Sequence, residues 1–231
     1  MKTLGLIGGM SWESTAIYYR HLNEMVRERL GGLHSARLLL WSFDFDEVAT
    51  RQHAGDWEGA GALMADAARR LKAGGAEALV ICTNTMHKLA DAAEEAAGLP
   101  LIHIADATAA AIRAAGVKRP LLLATRYTME QDFYKGRLAA RHGIEALVPD
   151  EAGRAMIHRV IYEELCRGFV SPVSKDAYLA LIAQLQSEED IDGVIFGCTE
   201  ISMLIGQDDL AVPTFDTARI HAQAAVDFAL G

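Results

Sequence analysis

The stretch "EALVICTNTMHKLADAAEEAAG", residues 77–98, sets the fold. A short apolar run rich in β-branched residues ends at Cys82, a polar corner Thr83-Asn84-Thr85 follows, and an alanine-rich helical pattern closes on Gly98. Length and composition give a buried strand, then a strand-end loop, then a helix. Successive side chains of a strand point to opposite faces, so at most one of Cys82 and Thr83 can face what lies beyond the strand.

The same unit recurs along the chain. "TLGLIG", "ARLLLW", "LPLIHI", "RPLLLAT", "IEALVP" and "GVIFGC" are each followed by a candidate helix, among them "SWESTAIYYRHLNEMVRERL" and "WEGAGALMADAARRLKAGG". This alternation predicts an α/β protein with mainly parallel strands, whose ligands sit at the carboxyl ends of the strands. Four strand ends stand out: "IGGMSWES", "ICTNTMH", "LLATRYTME" and "FGCTEIS". Gly9 and Thr125 are 116 positions apart (125 − 9), as are Cys82 and Cys198 (198 − 82). Leu6 and Leu122, Tyr18 and Tyr134, and Thr83 and Thr199 repeat at the same offset, which suggests internal doubling.

If the halves are two similar α/β lobes related by a pseudo-twofold axis, strand-end loops from both face one cleft, a usual place for a small ligand. Residues 1–104 with 211–231 form the first lobe and 105–210 the second. "LPLIHIADAT" and "AVPTFDTARI" read as the crossovers, with Asp106 and Asp216 as helix caps.

Composition narrows the partners. The chain has 231 residues, 51% of them apolar, enough for a proper core, and a net charge of −9 that disfavours nucleic acid and anionic membranes. The N-terminal apolar run is short and broken by glycines, so it reads as a strand rather than a signal segment, and a cytoplasmic protein is expected. The three cysteines, Cys82, Cys166 and Cys198, form no C-x-x-C pair, which points to reduced thiols. The histidines fall at no ligand-like spacing and no P-loop or dinucleotide fingerprint occurs, so neither metal nor cofactor is expected.

Several residues can carry chemistry. Cys198 stands where "TEISML" would start a helix, a setting that favours thiolate. "GGMSWES" and "TRYTME" offer backbone N–H groups and, at Thr125 and Thr128, hydroxyls that suit small anions. His87 and Glu200 are placed to tune a neighbouring thiol. On the spacing alone, either Cys82 or Thr83 could face the cleft.

Together, "GLIGGMSWEST", "CTNTMH" and "FGCTEI" resemble the aspartate/glutamate racemase family of cofactor-independent amino-acid racemases, closest to its acidic branch. The resemblance implies two Rossmann-like lobes with the active site in the cleft between them, a small acidic amino acid as substrate and, dimers being common in the family, a homodimer. It also implies that one thiolate removes the α-proton while a second thiol protonates the opposite face. Cys198 matches the second family cysteine. The first belongs to a Cys-Asn-Thr triplet that here reads Thr83-Asn84-Thr85, so the resemblance puts Thr83 in the catalytic place, Asn84 and Thr85 on the α-carboxylate, and Cys82 in the core. Met10, Thr128 and Thr199 complete the expected substrate contacts. The Arg and Lys that clamp the distal carboxylate in acid-specific relatives are not plainly kept. Arg51 and Gln52 lie near one position and Cys166 at the other, and Gln52 is the expected contact. A cysteine-dependent isomerase or decarboxylase of small diacids, and a non-catalytic amino-acid-binding relic, are the competing readings.

Overall fold

The computed structural model describes all 231 residues. Contacts divide the chain into two compact units, Met1–Ile104 with His221–Gly231, and Ala105–Ile220.

In the first unit, strands β1 (Leu4–Gly8), β2 (Leu38–Ser42) and β3 (Ala78–Ile81) form a parallel sheet in the order β2-β1-β3. Every residue of β1 and β3 is buried, which explains their unbroken apolar sequences, whereas β2 is an edge strand with no fully buried residue and with Leu40 and Ser42 exposed. Helix α1 (Trp12–Leu30) buries Tyr18, Leu22, Met25 and Val26 at helical spacing. Its N-terminus is capped by Ser11, whose Oγ accepts from Ser14 N, and it ends at Gly31. Helices α2 (Phe45–Ala54) and α3 (Trp57–Ala73) start from Asp44 and Asp56, each accepting a first-turn N–H. The polar corner after β3 runs into a 3₁₀ turn, Thr85–Leu89, and then α4 (Ala90–Ala97).

The second unit repeats the plan. Strands β4 (Pro120–Leu123), β5 (Gly193–Phe196) and β6 (Thr214–Asp216) form a parallel sheet in the order β4-β5-β6. Its helices are α5 (Ile104–Ala114), α6 (Arg126–Glu130), α7 (Asp132–His142), α8 (Glu151–Glu163) and α9 (Pro172–Glu189), α5 beginning on the last residue of the first unit. The chain closes with α10 (Thr217–Leu230), which continues into the segment counted with the first unit.

Three details differ from the sequence expectation. "LPLIHI" and "IEALVP" contribute single bridges, Leu79 to Leu101 and Leu121 to Leu147, not strands. Pro100 and Pro149 flank them and supply no N–H to a ladder. Residues 211–220 go with the second unit, because β6 satisfies its backbone against β5. Asp216 caps α10 by accepting from Ala218 N and Arg219 N, but Asp106 is drawn into a fork with Arg137 (2.7 and 2.6 Å) and a contact to His142 (2.8 Å).

His221 begins the return segment and is fully buried. Its Nε2–H donates to the Ile102 carbonyl at 2.6 Å and its Nδ1 accepts from the Tyr18 hydroxyl at 2.8 Å, so the ring is neutral. Burial brings its pKa down from 6.5 to about 4, with the Ile102 bond pulling weakly the other way. The unfolded chain takes up this proton near 6.5 and the folded chain only near 4, so stability is full above pH 6.5 and falls as the pH drops to 4. The loss from this group is about 3 kcal/mol. Urea midpoints between pH 7 and 4 should show it, and His221→Gln should flatten the slope; an equally steep variant would exclude His221 as the cause.

Candidate active site

The carboxyl ends of β1, β3, β4 and β5 carry the chemistry-bearing residues. After β1 the chain turns at Gly9, whose φ of +84° suits glycine. A Cβ there would lie 2.3 Å from the Phe43 carbonyl oxygen. The Gly9 N–H, one of the expected anion donors, already donates to Thr15 Oγ1 at 2.8 Å. Met10 is buried in a cluster with Ile7, Val48 and Met86.

After β3, Cys82 is fully buried and burial alone pushes its thiol far above the usual range. Its backbone is fixed on both sides: N–H to the Ile7 carbonyl at 2.9 Å, and carbonyl to the Ser14 hydroxyl at 2.8 Å. Thr83 is only half-buried, while Asn84 and Thr85 are buried at the start of the 3₁₀ turn. Gln52 and Arg51 lie on α2, not on a loop. Gln52 is buried and its Nε2 donates to Met86 Sδ at 3.1 Å, which ties α2 to the turn holding Asn84 and Thr85. Arg51 pairs with Glu47 (3.6 Å) and Asp56 (3.9 Å). His87 contacts the Thr83 carbonyl, whereas the Cys82 Sγ lies 4.0 Å from the Val80 carbonyl.

In the second unit, Thr128 Oγ1 lies 3.3 Å from Thr125 Oγ1, and both side chains are buried. Helix α6 has five residues, and its Arg126 N–H is taken by His158 Nδ1 at 3.3 Å. The anion site expected at "TRYTME" is therefore not built from free helix-end donors.

Cys198 departs most from expectation. "TEISML" forms only a three-residue 3₁₀ turn, Ile201–Met203. Instead of a helix terminus, Cys198 meets a carboxylate: Sγ donates to Glu200 Oε2 at 2.9 Å. Thr199 Oγ1 donates to the same oxygen at 2.7 Å, and Cys166 Sγ reaches Oε1 at 3.7 Å. A helix terminus favours a thiolate by about 0.3–1 kcal/mol. Burial and a full negative charge in contact outweigh that. Burial first and Glu200 second hold the Cys198 thiol well above its ordinary value, so it rests protonated with its proton aimed at Glu200. Tyr162 stands in the same field; burial, then the charges of Tyr127, Cys166, Cys198 and Glu200, keep its phenol protonated. Neither the Cys166–Glu200 contact nor Tyr162 was visible in sequence, because residues 34 or more positions apart make these meetings with no local pattern.

Strand register clarifies the doubling. Ile81 pairs with Ile7 and Phe196 with Leu123, so the two central pairs are equivalent. Thr83 lies two residues beyond Ile81 and Cys198 two beyond Phe196, a separation of 115 (198 − 83) rather than 116. By register, Thr83 corresponds to Cys198, and Cys82 to Gly197. A Cβ at Gly197 would lie 2.5 Å from Leu122 Cδ1, so that position also faces packed core.

Two units with parallel sheets thus carry polar strand ends, and at one of them a thiol rests on a buried carboxylate. The family description Asp/Glu/Hydantoin racemase matches residues 7–225. A protein from Yersinia pestis provisionally assigned as an Asp/Glu racemase is similar over 100% of both chains, at 55% identity and TM-score 0.92. An aspartate racemase homologue from Pyrococcus horikoshii OT3 is similar at 35% identity and TM-score 0.87, again over 100% of both chains. The Picrophilus torridus aspartate racemase shares the fold at 21% identity and TM-score 0.77, over 99% of this chain and 94% of that one. The chain belongs to the Asp/Glu/Hydantoin racemase family and is a racemase, an isomerase. No helix is long and apolar enough to cross a membrane, and no group of three or more His, Cys, Asp or Glu is arranged to hold a metal ion.

Proposed function

We propose that this racemase inverts an acidic amino acid, aspartate foremost, with Cys198 as base toward the L-enantiomer and Thr83 as proton donor to the opposite face of the same carbon. The register equivalence of Thr83 and Cys198 carries this reading. Aspartate is favoured by the name of the Pyrococcus relative.

In the L-to-D direction the Cys198 proton passes to Glu200 Oε2, along the existing 2.9 Å hydrogen bond, as the substrate engages. The thiolate then takes the α-proton. Asn84 and Thr85 hold the α-carboxylate, where charge accumulates, each such donor being worth about 3 kcal/mol in an anion site. Met10 and Gln52 line the substrate, with Gln52 toward the distal carboxylate. Thr83 delivers its hydroxyl proton to carbon and is reprotonated by water, and the hydroxide so formed is neutralised by the proton that Glu200 gives up, which restores the starting state. Thr128 and Thr199 support the opposite side, Thr199 through Glu200. An alcohol is a poorer acid than a thiol, so the Thr83 step limits the rate.

Deuterated buffer tests this. L- and D-aspartate and L- and D-glutamate are incubated separately without added cofactor, following loss of the α-proton signal and optical rotation. Exchange with inversion of aspartate is expected; exchange of none of the four would reject the reading. The presence of a thiol at only one of the two equivalent positions favours, as a second reading, one-sided protonation of a small diacid, which turnover of a malonate-like or maleate-like acid would reveal.

A homodimer completes the proposal. The α1–β2 face exposes Trp12, Tyr19, Leu33 and Leu40 around a groove of about 890 Å³. Arg20, Glu24 and Arg27 line the same groove, so two antiparallel copies of α1 would set Arg against Glu. Sedimentation should give a dimer for the native chain and a monomer for Leu40→Lys; a native monomer would remove this part of the reading.

A further inference from the structure

The racemase reading uses no histidine, yet His87, His103 and His221 are all buried beside the Thr83 corner. The His87 ring centroid lies 4.7 Å from that of His103 and 5.4 Å from that of His221, which in turn binds Tyr18. His87 Nδ1 lies 2.8 Å from the Thr83 carbonyl oxygen, and its Nε2 lies 3.2 Å from the Ile104 backbone nitrogen. A carbonyl can only accept and an amide N–H can only donate. These partners require a neutral imidazole with its proton on Nδ1. A proton on both nitrogens would set Nε2–H against the Ile104 N–H.

We propose that His87 is a positioning residue for Thr83, acting through the Thr83 carbonyl; this rests on the Thr83 role above. The carbonyl bond fixes the peptide plane after Thr83. Threonine is β-branched and restricted at χ1, so a fixed backbone narrows the positions its hydroxyl can take. Ile104, which anchors the far side of the ring, is the last residue of the first unit before the chain passes into the second. The imidazole therefore ties the proton donor's backbone to a rigid reference, not to a mobile loop. Misplacement of a reacting group by about 1 Å costs roughly 100-fold in rate.

The two nitrogens can be tested separately. The amide nitrogen of asparagine can occupy the place of Nδ1, so His87→Asn keeps a donor for the Thr83 carbonyl. Glutamine reaches to the place of Nε2, so His87→Gln keeps the Ile104 contact and loses the Thr83 bond. Asparagine fills less of the ring's volume than glutamine, so a merely structural role would make His87→Asn at least as damaging as His87→Gln. With L-aspartate in deuterated buffer, His87→Gln should lower inversion about 10- to 100-fold while α-proton exchange through Cys198 stays within about threefold, and His87→Asn should retain most of the inversion. A ¹³C-methyl label on Thr83 gives a readout independent of turnover: one sharp signal in the native chain and His87→Asn, and a shifted or split signal in His87→Gln. Equal loss in both variants, loss of L-side exchange in step with inversion, or an unchanged methyl signal in His87→Gln would each overturn the proposal. If the native chain exchanges no substrate, the racemase reading fails, and the methyl signal still decides whether His87 positions Thr83.

Discussion

On the proposed reading, Cys198→Ser is expected to lower α-proton exchange of L-aspartate by at least about 10³-fold while the protein folds normally. Serine is nearly isosteric, and its hydroxyl can still donate to Glu200 Oε2, so the hydrogen-bond geometry around the buried carboxylate survives. What disappears is acidity: no neighbour can turn that hydroxyl into an anion near neutral pH. Retained exchange would place the base elsewhere. The same geometry gives a direction in pH. The thiol is held high by burial and then by the charge of Glu200, so alkylation of Cys198 in the free enzyme should rise with pH through the neutral and mildly alkaline range. Glu200→Gln removes the negative charge. It should shift alkylation of Cys198, followed peptide by peptide with iodoacetamide, to lower pH, and yet reduce racemisation about 10²- to 10³-fold, because the acceptor for the thiol proton is gone. The two enantiomers have equal free energy in water, so kcat/KM must fall equally in both directions.

Much of the fold was legible because β1, β3, β4 and β5 are buried along their whole length and so read as unbroken apolar runs, with glycine and polar corners marking the strand ends. The two proline-flanked segments were overcalled as strands, since their composition fits a sheet while proline withholds the N–H that a ladder needs. In the site, Cys198 was legible as a residue but not in its electrostatics. Sequence placed it at a helix start, whereas the helix shrinks to one 3₁₀ turn and the nearest charge is negative. Glu200 could be named from its neighbour two residues away, but the Cys166 and Tyr162 side of the same carboxylate depends on packing of a distant segment. His221 was invisible as a structural acid–base group because its partners, Tyr18 and Ile102, are contributed from across the chain.

Thr83→Cys is expected to speed exchange of D-aspartate by about 10- to 10³-fold, whereas Cys82→Ala leaves turnover within about threefold. The offset of 116 read from the sequence pairs Cys82 with Cys198 and would predict the reverse. Strand register favours Thr83: the pairs Ile7 with Ile81 and Leu123 with Phe196 make Thr83, not Cys82, the counterpart of Cys198 in the repeat, with one residue lost between the halves. Burial agrees, since Cys82 is fully enclosed and its thiol is held protonated by desolvation, while Thr83 is half-buried. A thiol at position 83 can both give and take a proton near neutral pH, which an alcohol cannot, so the step proposed for this position should accelerate. Cys82→Ala should instead register as stability, on the order of 1 kcal/mol for a small cavity beside β1. Loss of activity in Cys82→Ala together with no gain in Thr83→Cys would restore Cys82 to the reacting face. It would also require β3 to end in a register different from the one that pairs Ile81 with Ile7.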